Sequence, residues 1–220
     1  MTKQKNASDT TYRHAMGRLL VLYTQVDRLI MEACAERIAS APDEAAKLAL
    51  AKQVGDESRH VAIQHAWMAQ FGTPQTPVIS AAQEGAILAH FRRLDWLEFL
   101  TDMYLCVEAL GSDAVEKVVP LADPGTRESL RVPLQDELDH IAFGINRLKQ
   151  ELAQLPPGER AAFPARASRR IDALNRMLQD MGLDLETLFE SVGSDYGTLC
   201  RSVRERKEDV LKAVAEPLAA

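Results

Sequence analysis

Aromatic residues are scarce in this sequence, 5% of 220, and no segment alternates apolar and polar side chains over the length of a strand. Alanine, leucine, glutamate and arginine dominate instead, a balance that favours helices over a sheet. Long apolar runs are missing as well. None approaches the roughly 18 residues a bilayer span requires, and the first residues, "MTKQKNASDT", carry no apolar leader. The chain therefore reads as soluble and cytoplasmic, with no membrane partner. Cations are not in excess. A formal net charge of −6 gives no general attraction to nucleic acid. The three cysteines, Cys34, Cys106 and Cys200, lie too far apart for a metal knuckle or a redox pair, and read as reduced thiols.

What is present is helical periodicity along nearly the whole chain. A first helix is expected over 11–40 and a second over 43–70, separated by "SAPDEAA", in which Pro42, Asp43 and Glu44 favour a helix start. "FGTPQTPVIS" cannot continue the second helix, because Gly72, Pro74 and Pro77 interrupt it. A short crossover helix in "AAQEGAILAHFRR" follows Ser80. A third long helix is expected over 94–119, then the turn "PLADPG", then a fourth over 126–155, ended by "PPGER". Two more helices are expected over 164–181 and 185–214. Two αα-hairpins joined by one long crossover make an all-α four-helix bundle of the ferritin-like arrangement. The expected organisation is a single domain: a flexible lead-in at 1–10, the bundle at 11–155, and a C-terminal helical extension at 156–220.

One short word occurs twice, "DESRH" at 56–60 and "DELDH" at 136–140, once on each of the second and fourth helices. Glu57 and His60, like Glu137 and His140, are three residues apart and share a helix face, so both side chains of a pair can reach one metal ion. Carboxylate and imidazole together suit iron, manganese or zinc. A dinuclear site in a bundle needs one more carboxylate from each remaining helix. In an antiparallel hairpin, residues equidistant from the turn lie level. Asp27 and Glu57 are equidistant from Pro42, and Glu108 and Glu137 are equidistant from the middle of "PLADPG". Glu32, the competitor on the first helix, would be displaced by about five residues, or about 7.5 Å. Asp27 shares its stripe with Leu20, Tyr23, Ile30 and Cys34, a core face. Glu32 shares its stripe with Gln25, Arg28 and Glu36, which reads as a solvent face. Glu108 lies on the stripe of Leu97, Thr101, Tyr104 and Leu105. A carboxylate on an apolar stripe requires a partner, and metal is the partner expected here. The candidate ligands are Asp27, Glu57, His60, Glu108, Glu137 and His140.

Those residues, over roughly 11–155, resemble the ferritin-like di-iron carboxylate superfamily. That group includes bacterioferritins, rubrerythrins, ribonucleotide reductase small subunits, di-iron monooxygenases and aldehyde-deformylating oxygenases. The resemblance implies two irons, or a manganese or mixed pair, bridged by Glu57 and Glu137. It makes Asp27 and Glu108 terminal ligands and gives one histidine to each metal. Aspartate at 27 departs from the glutamate most members carry. Asp56 and Asp136, each preceding a ligand glutamate, are candidates to orient the histidine of the opposite motif. Tyr23 and Tyr104 each stand four residues before a proposed ligand, as hydrogen-bond partners or, for Tyr104, a redox residue. The alternative for both is an ordinary core tyrosine.

The segment "DELDHIAFGINRLKQEL" is similar to the corresponding helix of aldehyde-deformylating oxygenases, and Gly144 in it is expected to open room beside the metals. Trp67 and Cys34 are weighed as further cavity residues against plain core packing. His14, His65 and His90 fall outside the set. The charge run "RSVRERKEDV" reads as a solvated face. The function implied is an oxygen-activating, non-haem di-iron oxidase or oxygenase with O2 as co-substrate, acting on a small, partly apolar substrate. Candidate reactions are hydroxylation, N-oxygenation, desaturation and C–C cleavage, with a ferredoxin or flavin reductase as electron donor and a homodimer as the expected assembly. Two alternatives stay open: an iron-oxidising or peroxide-reducing ferritin-like protein, and a non-catalytic helical interaction protein.

Overall fold

The computed structural model describes residues 10–72 and 76–216. The polar lead-in at 1–9 and the breaker Pro74 lie outside the described residues. Helix α1 (Thr10–Ile38) and α2 (Glu44–Phe71) pack along one another as the first hairpin. Asp43 caps α2 by accepting from the Ala46 N–H at 2.8 Å, and its carboxylate also pairs with Arg147. This is the start that "SAPDEAA" predicts. The crossover carries α3 (Ala81–Arg93), opened by a capping box in which Ser80 and Gln83 satisfy one another's backbone.

The third bundle helix is continuous but not uniform. It runs as α4 (Trp96–Leu100), a π-helical segment Thr101–Glu108, and α5 (Ala109–Val118). The fourth, α6 (Pro124–Ala153), starts at Asp123, which accepts from the Gly125 and Thr126 N–H groups. Pro133 lies inside α6. It has no N–H for the Ser129 carbonyl, and the Gln64 side-chain amide of α2 donates to that carbonyl at 3.0 Å. The helix break is thereby repaired from the neighbouring helix.

Among the described residues three helices follow the bundle rather than the two expected: α7 (Pro157–Asp180), α8 (Leu185–Ser191) and α9 (Tyr196–Ala215). The periodicity read as one helix over 185–214 is divided at Gly193, whose φ of 88° is left-handed, and Asp195 restarts the chain by capping α9. Helix α7 begins at Pro157, a favoured first-turn position, and passes through Pro164. Helix α9 packs on α5, α6 and α7.

On the α1 stripe read as solvent-facing, Gln25 is covered by the crossover, whereas Arg28 and Glu36 keep 43% and 42% of their side chains exposed, as expected. The Gln25 amide donates to the Ile79 carbonyl at 2.7 Å and its oxygen accepts from the Val78 and Ile79 N–H groups. Arg28 pairs with Glu84, and Arg92 with Glu36. Polar residues on that stripe grip a neighbouring chain segment, and this is the same pattern that water-facing residues write.

The α6 cap ties both hairpins together. The buried Asp123 carboxylate also accepts from the Tyr12 hydroxyl of α1 at 2.9 Å and the Thr126 hydroxyl at 2.6 Å. Asp123→Ala is expected to cost about 2 kcal/mol, the sum of a lost cap and a stranded buried hydroxyl. Asp184→Ala, at the exposed cap of α8, is expected to cost much less. Urea unfolding of the two variants checks this, and equal losses would contradict it.

Candidate metal centre

Helix α2 buries one stripe, Ala46, Leu50, Gln53, Glu57, His60, Gln64, Met68 and Phe71. The spacing is that of a core face, but four of its members are polar or ionisable. Glu57 and His60 are 1% and 0% exposed. The opposing helices add Asp27, Glu108, Glu137 and His140, of which Glu108 is 2% exposed. Two groups have ligand atoms all within 4.8 Å of one another: Asp27, Glu57 and His60, and Glu57, Glu108 and His140. Glu57 belongs to both. Its Oε2 lies 3.2 Å from His60 Nδ1 and its Oε1 3.4 Å from His140 Nδ1. Glu137 stands apart from both groups, beside the Ser112 hydroxyl, with the field of Glu57 and both histidines on it.

The outer nitrogens of the two imidazoles are held in a crossed pattern. Asp136 lies 2.9 Å from His60 Nε2, and Asp56 lies 3.2 Å from His140 Nε2. Each aspartate therefore serves the histidine of the other motif. Burial alone would raise both carboxyls, but Lys52 and His140 at Asp56, and His60 and Arg59 at Asp136, hold them below the usual range. Arg59 reaches both aspartates and Lys52 is 2.9 Å from Asp56. A charged carboxylate on Nε2 keeps the proton there and turns the Nδ1 lone pair inward.

The inner groups lack such partners. Burial, first, and the neighbouring carboxylates, second, push Asp27 well above the usual range and raise Glu57 and Glu108. Glu137 is raised by burial against the opposing Ser112 contact. Burial would lower the two histidines, yet Glu57 at His60 and Glu108 at His140 carry both from 6.5 up to about 9. Glu57 Oε1, Glu137 Oε2 and His140 Nδ1 are buried with no hydrogen-bond partner. Buried polar atoms of this kind are costly when unpaired. Carboxylate oxygens and imidazole lone pairs facing a common centre fit divalent cations of the iron and manganese type.

Sequence reasoning passed over Gln53. Its amide donates to Glu108 Oε1, and its oxygen accepts from the Tyr104 hydroxyl at 2.7 Å. The signal was a glutamine on the core stripe of α2, one turn before Glu57. Tyr104 is fully buried. Tyr23 is buried with its hydroxyl unpartnered, and burial followed by Glu137 and Asp27 raises it strongly. Gly144 does not open space. A Cβ there would stand 2.1 Å from Tyr104 Cβ, so the glycine admits the tyrosine ring. Trp67 and Cys34 do not line the cavity beside the carboxylates. Trp67 lies over Gly125 and donates to the Thr126 hydroxyl; Cys34 is enclosed in the core of α1. His90, placed outside the set, pairs with the buried Asp102 at 2.7 Å.

No protein-family model matches this sequence, and no curated protein does. A solved structure does: the chain superposes with a TM-score of 0.77 on protein 19 with aldehyde deformylating oxidase activity from Synechococcus. Identity is 18% over 96% of this chain and 94% of that one. The fold is the ferritin-like bundle.

Two outcomes follow from the charges. Groups whose folded pKa is raised stabilise below their unfolded value and lose that contribution as pH rises through the folded value. For His60 and His140 the window is 6.5 to about 9, and the raised buried acids act with the same sign. The melting temperature of metal-free protein is therefore expected to fall across that window, and stabilisation by Mn(II) to grow with pH, since metal takes deprotonated ligands. A metal-free melting temperature that is flat or rising would contradict it. In calorimetric titration with Mn(II), Asp27→Ala and Glu57→Ala are each expected to weaken binding more than Glu32→Ala. The reverse order would move the α1 ligand to Glu32.

Proposed function

We propose that the protein is an O2-activating, non-haem dinuclear iron oxidase or oxygenase that acts on a small, largely apolar molecule. The observation that carries this reading is a cavity of about 290 Å3 that meets the carboxylates. Tyr23, Asp27, Glu108, Ser112 and Glu137 line one end, and aliphatic side chains of α1, α5 and the π segment line most of the rest. Its size is at the lower end of small-molecule sites. Among the described residues the charged ones lining it are the three acids Asp27, Glu108 and Glu137, so a charged substrate group would find no fixed countercharge along the apolar wall. Leu178, Leu185, Phe189 and Val203, all from the C-terminal helices, also line it. An apolar wall of that kind supports a pocket for an organic substrate, and the likeness to a protein described as an aldehyde deformylating oxidase agrees with it.

In this reading Asp27, Glu57 and His60 hold one metal and Glu57, Glu108 and His140 the other, with Glu137 completing the pair from α6. Iron bound there supplies the reduction of O2 that no side chain can perform. The protein's own work is positional. Asp56 and Asp136 fix the imidazoles through Nε2. Gln53 holds the Glu108 carboxylate by one oxygen, leaving the other free for metal. The apolar wall orients a substrate toward the carboxylate end. Electrons come from an external one-electron donor of the ferredoxin or flavin type.

The test is anaerobic titration of metal-free protein with Fe(II), followed by O2 and continued iron feeding. Oxidation is expected to stop at about two irons per chain, the capacity of a dinuclear site. Oxidation that continues far beyond this would replace the oxygenase with an iron-storing function.

A further inference from the structure

The cavity that meets the carboxylates carries an uncommitted hydrogen-bond donor away from them. Asn175 of α7 is half-buried and lines the wall. Two other neutral polar side chains of the lining are already engaged. Gln64 donates its amide to the Ser129 carbonyl at 3.0 Å, and the Ser112 hydroxyl is taken up by Glu137. Asn175 spends only its oxygen. Its Oδ1 accepts from the Cys106 thiol, with sulfur and oxygen 3.7 Å apart. The Asn175 amide N–H groups make no hydrogen bond among the described residues.

The thiol decides which end of the amide is left over. Burial, first, and the buried Asp102 carboxylate, second, push Cys106 up to about 12, so the sulfur keeps its proton at neutral pH and acts as a donor. A donor takes the amide oxygen, and the nitrogen with both of its protons stays uncommitted beside the cavity. Cys106 and Glu108 stand two residues apart in the π-helical segment, so their side chains leave opposite sides of that helix. The charged groups that act on Cys106 are Asp102, Lys207 and Asp172, none of them a carboxylate of the centre. A helix with its side chains is about 10 Å across, and that sets the order of the separation between the Asn175 amide and the Glu108 carboxylate.

We propose that Asn175 is a specificity-determining residue that binds a neutral oxygen acceptor, a hydroxyl, ether or carbonyl, at the end of the substrate remote from the metal centre. The substrate is then an aliphatic molecule with a polar group at each end rather than a plain hydrocarbon chain. The inference rests on the reading of this cavity as the substrate chamber, and not on the identity of the metals. A charged tail does not fit: an ammonium would meet N–H donors, and a carboxylate would leave water with no fixed cation to receive it. Size agrees as well. An apolar cavity of about 150 Å3 holds benzene, so one of about 290 Å3 takes roughly ten to twelve heavy atoms. An eight-carbon chain with an oxygen at each end has that size.

The full chain, supplied with Mn(II) and kept without O2, is titrated calorimetrically with octan-1-ol and with octane-1,8-diol. In the wild-type chain the second hydroxyl of the diol finds the amide; in Asn175→Leu it is buried against an apolar side chain. The ratio of the two dissociation constants is expected to shift in favour of octan-1-ol by about three- to tenfold in that variant. Asn175→Val, which removes the same donor with a smaller side chain, is expected to shift it in the same direction. Leu178→Ala, one turn further along α7 on the same wall, is expected to weaken both alcohols alike and leave the ratio in place. An unchanged ratio in the Asn175 variants, or an equal shift in Leu178→Ala, would overturn the proposal. So would the absence of saturable binding of either alcohol to the wild-type chain, which would remove the substrate chamber itself. The Mn(II) content of the same samples keeps the two readings apart. The expected alcohol preferences in a chain that takes up no Mn(II) would support the Asn175 subsite and contradict the dinuclear centre.

Discussion

Acidic side chains buried in a helical bundle lose their hydration and repel one another, and this cost organises the middle of the molecule. Glu57 and Glu108 are almost fully enclosed beside His60 and His140. Desolvation and like charge push the inner carboxyls up, and the same carboxylates push the imidazoles up. Protons can satisfy such a cluster in part, but Glu57 Oε1, Glu137 Oε2 and His140 Nδ1 still have no partner. A pair of divalent cations would remove the repulsion and satisfy those atoms together. The outer aspartates complete the logic: kept ionised by Lys52 and Arg59 and by the histidines they face, they bind Nε2 and present Nδ1 to the centre.

The irregularities of the bundle lie around the same site. The π-helical segment ends at Glu108 and contains both Tyr104 and the buried Asp102. Irregular turns of this kind are frequent at functional sites because they re-aim side chains without ending the helix. Asp102 is fixed by Arg170 of α7 and by His90 of α3, so the crossover and the C-terminal extension both brace that segment. Gly144 lets α6 approach Tyr104, and Gln64 repairs the gap that Pro133 leaves in α6.

The bundle was legible, and with it the drawing together of Asp27, Glu57, His60, Glu108 and His140, because both follow from chain arithmetic; Glu137, expected as a bridge, stands outside those groups. Helical periodicity marks the segments, Pro42 and "PLADPG" mark the turns, and equidistance from a turn levels Asp27 with Glu57 and Glu108 with Glu137. What was not legible depends on contacts between segments distant in sequence. Gly144 reads as empty space until the Tyr104 ring is placed against it. Gln25 reads as solvated until the crossover is laid over it. The π segment writes no pattern in TDMYLCVE that an α-helix would not. Gly193 divides the last predicted helix, and a single glycine inside a periodic stretch does not announce its φ. The contribution of α7 to α9 to the cavity lining likewise required their packing against the bundle.

The central claim is that this cluster holds two metal ions, and anomalous diffraction from crystals grown with Mn(II) tests it most directly. The account predicts two peaks about 3.5–4 Å apart, one on either side of Glu57, each facing the Nδ1 of His60 or His140. An ordered cluster with no peak between those side chains, its carboxyls and imidazoles joined by hydrogen bonds alone, would contradict it.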